Sequence, residues 1–325
     1  MKPLFDAWLI QIRVTNVCRL SCAHCTAGIR HFASPSFADL GFIERALKSL
    51  EGWRKGVGFT GGEPTLHPDF PELCALFRTY FPKHQCGLWT CGGPAYQKHR
   101  ELIRRTFGII NYNDHDTSSF HHPMTVASED VIKDEQLREE LIDKCWLQLH
   151  WSPIVAQNGA FFCEVAATFD SLFGGPGGYP LEPGWWKKDV KGFADQRARY
   201  CGKCSIPIPF TSLPDRLKLD WVSPQNAQRL RDANSPQAAA GRLKTVDAVF
   251  TREDIERLAA ARSRNAKTYA TPLSKHVWMK TPLRAWFWKH AKYRHIPGGQ
   301  KQFVLDTLRF IAIKFRDALS GDSQP

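Results

Sequence analysis

Seven of the ten cysteines in this 325-residue chain fall into two sets whose spacing suits metal ligation. Cys18, Cys22 and Cys25 lie within eight residues in the order C-x3-C-x2-C. A four-iron cluster has four corners, so a triad that ligates three of them leaves one iron open to an exchangeable ligand. The same thiolates, with His24 or a distant residue, would also complete a zinc tetrahedron. Cys145, Cys163, Cys201 and Cys204 follow the order C-x17-C-x37-C-x2-C. Four thiolates can close around one cluster with no open position, or hold a structural zinc ion.

Three further groups of residues could do chemistry. Gly61, Gly62, Glu63 and Pro64 follow a short apolar run. Paired glycines let a backbone approach a ligand closely, and a carboxylate beside them can hold an ammonium group, although the tetrapeptide alone also suits a tight turn. Cys91 ends another apolar run, where a thiol could return a hydrogen atom to a substrate radical or simply fill a small site. Asp114, His115 and His121 belong to a polar stretch suited to binding hydroxyls or shuttling a proton, and equally to a solvated loop. Cys74 and Cys86 read as small buried hydrophobes.

These residues need strands and helices to position them. Trp8, Ile10, Ile12 and Val14 alternate with Leu9, Gln11 and Arg13, predicting a first strand that runs into the triad. A helix is expected over 40–53, a second strand over 57–60 before the paired glycines, and a helix over 70–80. Strands are expected over 85–90 and 107–112, separated by a basic helical stretch over 97–105. Repeated strand–helix units imply parallel strands with functional loops at their C-terminal ends. Further on, Leu147, Leu149 and Trp151 alternate, Asn158-Gly159 is a turn signal and Phe161-Phe162 resumes a strand, predicting a β-hairpin between Cys145 and Cys163.

The cysteine triad after strand one and Gly-Gly-Glu-Pro after strand two together resemble the radical S-adenosylmethionine (SAM) superfamily. That resemblance implies a partial (β/α)6 barrel and a 4Fe-4S cluster on Cys18, Cys22 and Cys25. It also implies SAM bound through its amino group at Gly61, Gly62, Glu63 and Pro64, and reductive cleavage to a 5'-deoxyadenosyl radical. His24 occupies a position that is commonly aromatic in the family and packs near the SAM adenine. The Thr90-Cys91-Gly92 stretch stands where related enzymes often carry Thr-Asn-Gly. The second cysteine set resembles the auxiliary-cluster module of some members, the shortened "twitch" form of the SPASM domain, as in radical SAM aminocyclitol dehydrogenases. This implies one auxiliary 4Fe-4S cluster and an electron donor of the flavodoxin or ferredoxin type.

The expected organisation is therefore α/β: a barrel core over 1–140, an auxiliary-cluster domain over 141–214 and a basic, mostly helical extension over 215–325. The charge is uneven. Residues 215–325 carry 21 Lys and Arg against 10 Asp and Glu, close to the whole net charge of +12. A helix is expected over 252–266, and Val304, Leu308, Ile311, Phe315 and Leu319 form a stripe at helical spacing. The extension could pack on the barrel, rest on an anionic membrane or face an acidic partner; without a recognised module, nucleic acid is not expected. The N-terminus reads as neither a signal peptide nor a membrane span, so a cytoplasmic enzyme is expected.

The resulting expectation is a radical SAM oxidoreductase that takes hydrogen from a small hydroxylated substrate, such as a sugar, aminocyclitol or nucleoside, with the auxiliary cluster accepting an electron. Epimerisation with a cysteine donor, peptide or protein modification, a lipid-linked glycan as substrate and a noncatalytic zinc-stapled binding protein are the alternatives.

Overall fold

The computed structural model describes residues 1–112, 120–150, 153–211, 213–214 and 218–268. Its centre is a six-stranded, mostly parallel sheet of β1 (Leu9–Thr15), β2 (Gly56–Gly61), β3 (Cys86–Thr90), β4 (Ile109–Tyr112), β6 (Ile154–Ala156) and β7 (Gly159–Phe161). The strand order is β4-β3-β2-β1-β6-β7. The four successive strands β1 to β4 are parallel neighbours, as the alternating strand–helix pattern predicts. The chain then returns to the opposite edge, where β6 runs parallel to β1 and turns back as β7. Among the described residues the sheet thus consists of four successive parallel strands plus a hairpin beside β1, an arrangement consistent with a partial barrel. Short pairs complete the set: β5 (Phe120–His121) with β8 (Leu213–Pro214), and β9 (Asp220–Val222) with β10 (Leu243–Thr245).

One face of the sheet is covered by α1 (Leu40–Lys48) and α2 (Phe70–Tyr80). Asp39 caps α1 by accepting the Phe42 amide at 2.7 Å, and Phe42, Ile43, Ala46 and Leu47 turn one face into the core. The expected helix over 40–53 ends at Lys48, where the Leu50 and Glu51 amides tighten onto the Leu47 and Lys48 carbonyls; Gly52 then takes a positive φ of 80° and the Trp53 indole N–H donates to the Gly56 carbonyl. Ile10, Ile12 and Val57 enter the same core. There Phe59 packs on Phe77 with ring centroids 4.3 Å apart and meets Phe107 edge-on at 6.2 Å. Cys74 and Cys86 are buried in this core, where burial pushes both thiols up to about 12. Between β3 and β4 the basic stretch forms two short helices, α3 (Pro94–Lys98) and α4 (Arg100–Thr106).

After β5 come α5 (Ser128–Val131), α6 (Glu135–Asp143), α7 (Trp146–His150), α8 (Glu164–Leu172) and α9 (Ala194–Tyr200). The alternation of Leu147 and Leu149, read as a strand, folds as α7. Gln148, the residue a strand would turn to solvent, is buried because its amide pairs with the Lys2 peptide, accepting at 2.8 Å and donating at 2.7 Å. The hairpin exists, but as β6 and β7 around Gln157 and Asn158, with Gly159 at a φ of 119°. Helices α10 (Pro224–Asp232), α11 (Pro236–Ala239) and α12 (Arg252–Thr268) follow.

Residues beyond 215 touch the earlier part of the chain. Val222 bridges to Thr125, and Val222, Ala227 and Leu230 pack on Leu172. The apolar stripe from Val304 to Leu319 lies outside the described residues.

Candidate active site

The C-terminal ends of β1, β2 and β3 carry three loops that lock into one another. The register with β2 shifts between Arg13 and Thr15, the last residue of β1, and Cys18 follows three residues later. Gly61 and Gly62 approach its backbone rather than open space. A Cβ at Gly61 would stand 2.1 Å from the Thr15 carbonyl oxygen, and one at Gly62 would stand 2.0 Å from that of Val17. The approach lets the Gly62 amide donate to Thr15 O at 2.9 Å and the Glu63 amide donate to Val17 O at 2.7 Å.

Glu63 is fully buried and ties the second loop to the third. Its Oε1 accepts from the Thr65 amide at 3.2 Å and from the Thr65 hydroxyl at 2.7 Å. The Thr90 hydroxyl lies 2.9 and 3.0 Å from the two carboxylate oxygens, and the Cys91 amide donates to Oε2 at 2.7 Å. The Cys91 thiol donates to the same oxygen at 3.1 Å. Arg19, from the triad loop, completes the ring by donating to the Cys91 carbonyl at 3.1 Å. Gly93 is needed beneath it, since a Cβ there would meet the Arg19 Nε at 2.6 Å.

Cys18, Cys22 and Cys25 are partly exposed and share this loop. The Cys91 thiol also interacts with Cys18, which draws the Cys18 pKa down and, with burial and the nearby Glu63 carboxylate, drives that of Cys91 up. Burial pushes Cys25 up to about 11. Cys91 is itself buried, so its thiol packs between a candidate ligand and Glu63. His24, expected near an adenine, is buried, and its amide donates to Asp220 Oδ1 at 2.6 Å. His121 is partly buried, while Asp114 and His115 lie outside the described residues.

The second cysteine set converges although it is scattered over sixty residues of sequence. Cys145, Cys163, Cys201 and Cys204 line one cavity whose remaining walls include Leu147, Phe162, Val165, Ala166 and Ile206. Burial pushes Cys145 up, and Cys201 and Cys204 well up, with the neighbouring thiols adding to the effect on the last two. Thiolates crowded together in an apolar wall repel one another unless a cation joins them, so the donor set suits a metal centre. Among the described residues, no three His, Cys, Asp or Glu side chains converge on a single ion. Ligands of an iron–sulfur cluster each take a different iron and stand farther apart.

Helix α8 links the two sets. It begins one residue after Cys163, and Glu164 accepts from the Gln11 amide at 2.5 Å on β1. Arg13 donates to the Thr168 hydroxyl at 2.7 Å, and that hydroxyl donates to the Thr26 carbonyl at 2.8 Å beside Cys25. Burial lowers the Arg13 pKa to about 10 against the opposing influence of Glu164, and raises that of Glu164. Sequence alternation gave no reason to expect Gln11 and Arg13 to be buried. Their partners lie more than 150 residues away.

Residues 12–118 match the model of the Radical SAM superfamily, and the chain carries a domain of that superfamily. The chain is also similar to two curated proteins. One is the GTP 3',8-cyclase of Chlorobaculum tepidum, 38% identical over 71 residues, which are 21% of this chain and 20% of that protein. The other is the 7,8-dihydro-6-hydroxymethylpterin dimethyltransferase of Methanocaldococcus jannaschii, 37% identical over 73 residues, which are 22% of this chain and 14% of that protein. The similarity therefore spans only a small part of either relative. Among the described residues, no helix is long and apolar enough to cross a membrane.

Proposed function

We propose that the chain is a radical SAM enzyme with two iron–sulfur sites, acting as an oxidoreductase on a small hydroxylated substrate. In this reading Cys18, Cys22 and Cys25 ligate the SAM-binding cluster, and Gly61 to Pro64 form the wall against which SAM rests. When bound, cluster and SAM supply a 5'-deoxyadenosyl radical able to take hydrogen from a substrate carbon. The chain's own part is to fix the loops. Glu63 clamps Thr65, Thr90 and Cys91, so the Gly61–Gly62 backbone is held against Thr15 and Val17 at the root of the triad loop.

The observation that carries the oxidative reading is the convergence of Cys145, Cys163, Cys201 and Cys204 on one apolar cavity. A closed four-thiolate site has no position for substrate and suits electron storage or structure. The two relatives are named as a cyclase and a dimethyltransferase, so they support the superfamily's chemistry and leave the outcome to the second site. Cys91 is assigned a positioning role, because its thiol engages Glu63 and Cys18. An electron donor of the flavodoxin or ferredoxin type is the partner this chemistry requires.

Anaerobic reconstitution with iron and sulfide tests the reading. The wild type should bind about eight irons, and a Cys18, Cys22, Cys25 triple alanine variant about four, by the four-iron count per cluster. Zinc in the second site, or about four irons in the wild type, would remove the oxidative role and return the zinc-stapled alternative for that lobe.

A further inference from the structure

The segment that begins at 218, a basic appendage by its composition, reaches into the triad loop. Asp220 is almost fully buried, and its Oδ1 accepts the His24 amide at 2.6 Å. His24 is one of three non-glycine residues with a positive φ among the described residues, at 57°, a backbone state that L residues avoid. Such a residue persists only where its surroundings over-determine it, and here the surroundings are specific. The second carboxylate oxygen of Asp220 accepts from Gln237 Nε2 at 3.0 Å and faces His31 Nε2 at 3.6 Å. Gln237 is itself held by Arg30 at 2.7 Å, and His31 by the Ser235 hydroxyl at 2.8 Å. His24, Arg30 and His31 belong to the triad loop and its exit. Asp220, Ser235 and Gln237 come from the distant segment, which is anchored because Thr125 donates to the Trp221 carbonyl at 2.6 Å.

We propose that Asp220 is a positioning residue for the cluster loop. It holds the left-handed turn at His24, between Cys22 and Cys25, and thereby fixes how these two thiols are presented. The inference rests on the reading of Cys18, Cys22 and Cys25 as cluster ligands. A buried, charge-assisted bond to an amide compensates a backbone state that glycine would adopt without help. Removing the carboxylate should therefore release the turn, and a glycine at position 24 should make the carboxylate dispensable.

Two measurements on the full-length chain test this. In the metal-free protein, hydrogen exchange at the His24 amide should be at least tenfold faster in Asp220→Ala than in the wild type. After reconstitution with iron and sulfide, Asp220→Ala should lose the iron of the triad, and the Asp220→Ala, His24→Gly double variant should recover it. Unchanged exchange and iron in Asp220→Ala overturns the proposal. So does a double variant that stays as poor in iron as the single one, because a merely structural role for Asp220 gives glycine no means of rescue. If Asp220→Ala does not fold, Asp220→Asn carries the exchange comparison, a rate at least threefold faster supporting the proposal and an unchanged rate overturning it. A wild type that takes up no iron at the triad defeats the cluster reading instead, and the exchange rates still decide what Asp220 does to the loop.

Discussion

At Glu63 the usual picture of a carboxylate reaching out to a ligand gives way to a carboxylate turned into the protein. Both oxygens are engaged by Thr65, Thr90 and Cys91, and no part of the side chain is exposed. Its charge works by ordering three loops that come from three different strands. Thr90 is the middle link, since its hydroxyl serves Glu63 and also accepts the Gly92 amide at 2.9 Å. Thr90→Val keeps the shape and removes both bonds, leaving the buried Gly92 amide without its hydroxyl acceptor and the Glu63 carboxylate with Thr65 and Cys91 alone. The expected cost is about 1–3 kcal/mol, read from urea unfolding of the metal-free chain. The same residues show how much of the paired-glycine motif is legible in the sequence. The sequence marks that a close approach is needed, and only the fold reveals that the approaching surface is the backbone at Thr15 and Val17.

Strands and helices over the first 112 residues follow their sequence pattern closely, because each buries an apolar stripe against its sequence neighbours. The helix expected over 70–80 is α2, Phe70–Tyr80, with Phe70, Leu73, Cys74 and Phe77 buried at helical spacing. Phe59 anchors the contact between β2 and α2, so Phe59→Ala should cost about 3–5 kcal/mol in the same unfolding measurement, as a large buried ring is lost. Elements that bury polar residues were less legible. The alternation of Leu147, Leu149 and Trp151 predicts a strand, whereas Leu147 and Leu149 lie on helix α7 and the Gln148 amide closes on the Lys2 peptide. Helix α8 serves β1 through Glu164 and Thr168, side chains that no local pattern pairs with Gln11 and Arg13.

Across the whole molecule, raised thiol pKa values give the metal-free protein a pH signature. Burial raises Cys25 to about 11 and Cys74 and Cys86 to about 12, and raises Cys201 and Cys204 well above 9.0. The folded state then holds more protons than the unfolded one above the ordinary thiol value. The stability these groups contribute is fully present below pH 9 and is lost as pH rises through about 11 to 12. The metal-free chain should therefore melt at falling temperature over that window. Reconstituted protein should lose less over the same window, since ligand thiols are already deprotonated and paired with metal.

Sequence by itself determined the parallel β1 to β4 core, the triad loop at the end of β1 and the Gly-Gly-Glu-Pro segment at the end of β2. Those features rest on short-range periodicity and on motifs whose members lie close in the chain. Tertiary structure alone decided that the hairpin joins β1 at the far edge of the sheet, that Gln11 and Arg13 are buried against α8 and that Asp220 reaches His24. Each of these joins residues far apart in the chain, where the contact is selected by the global packing of buried polar and apolar groups and leaves no local periodicity to read.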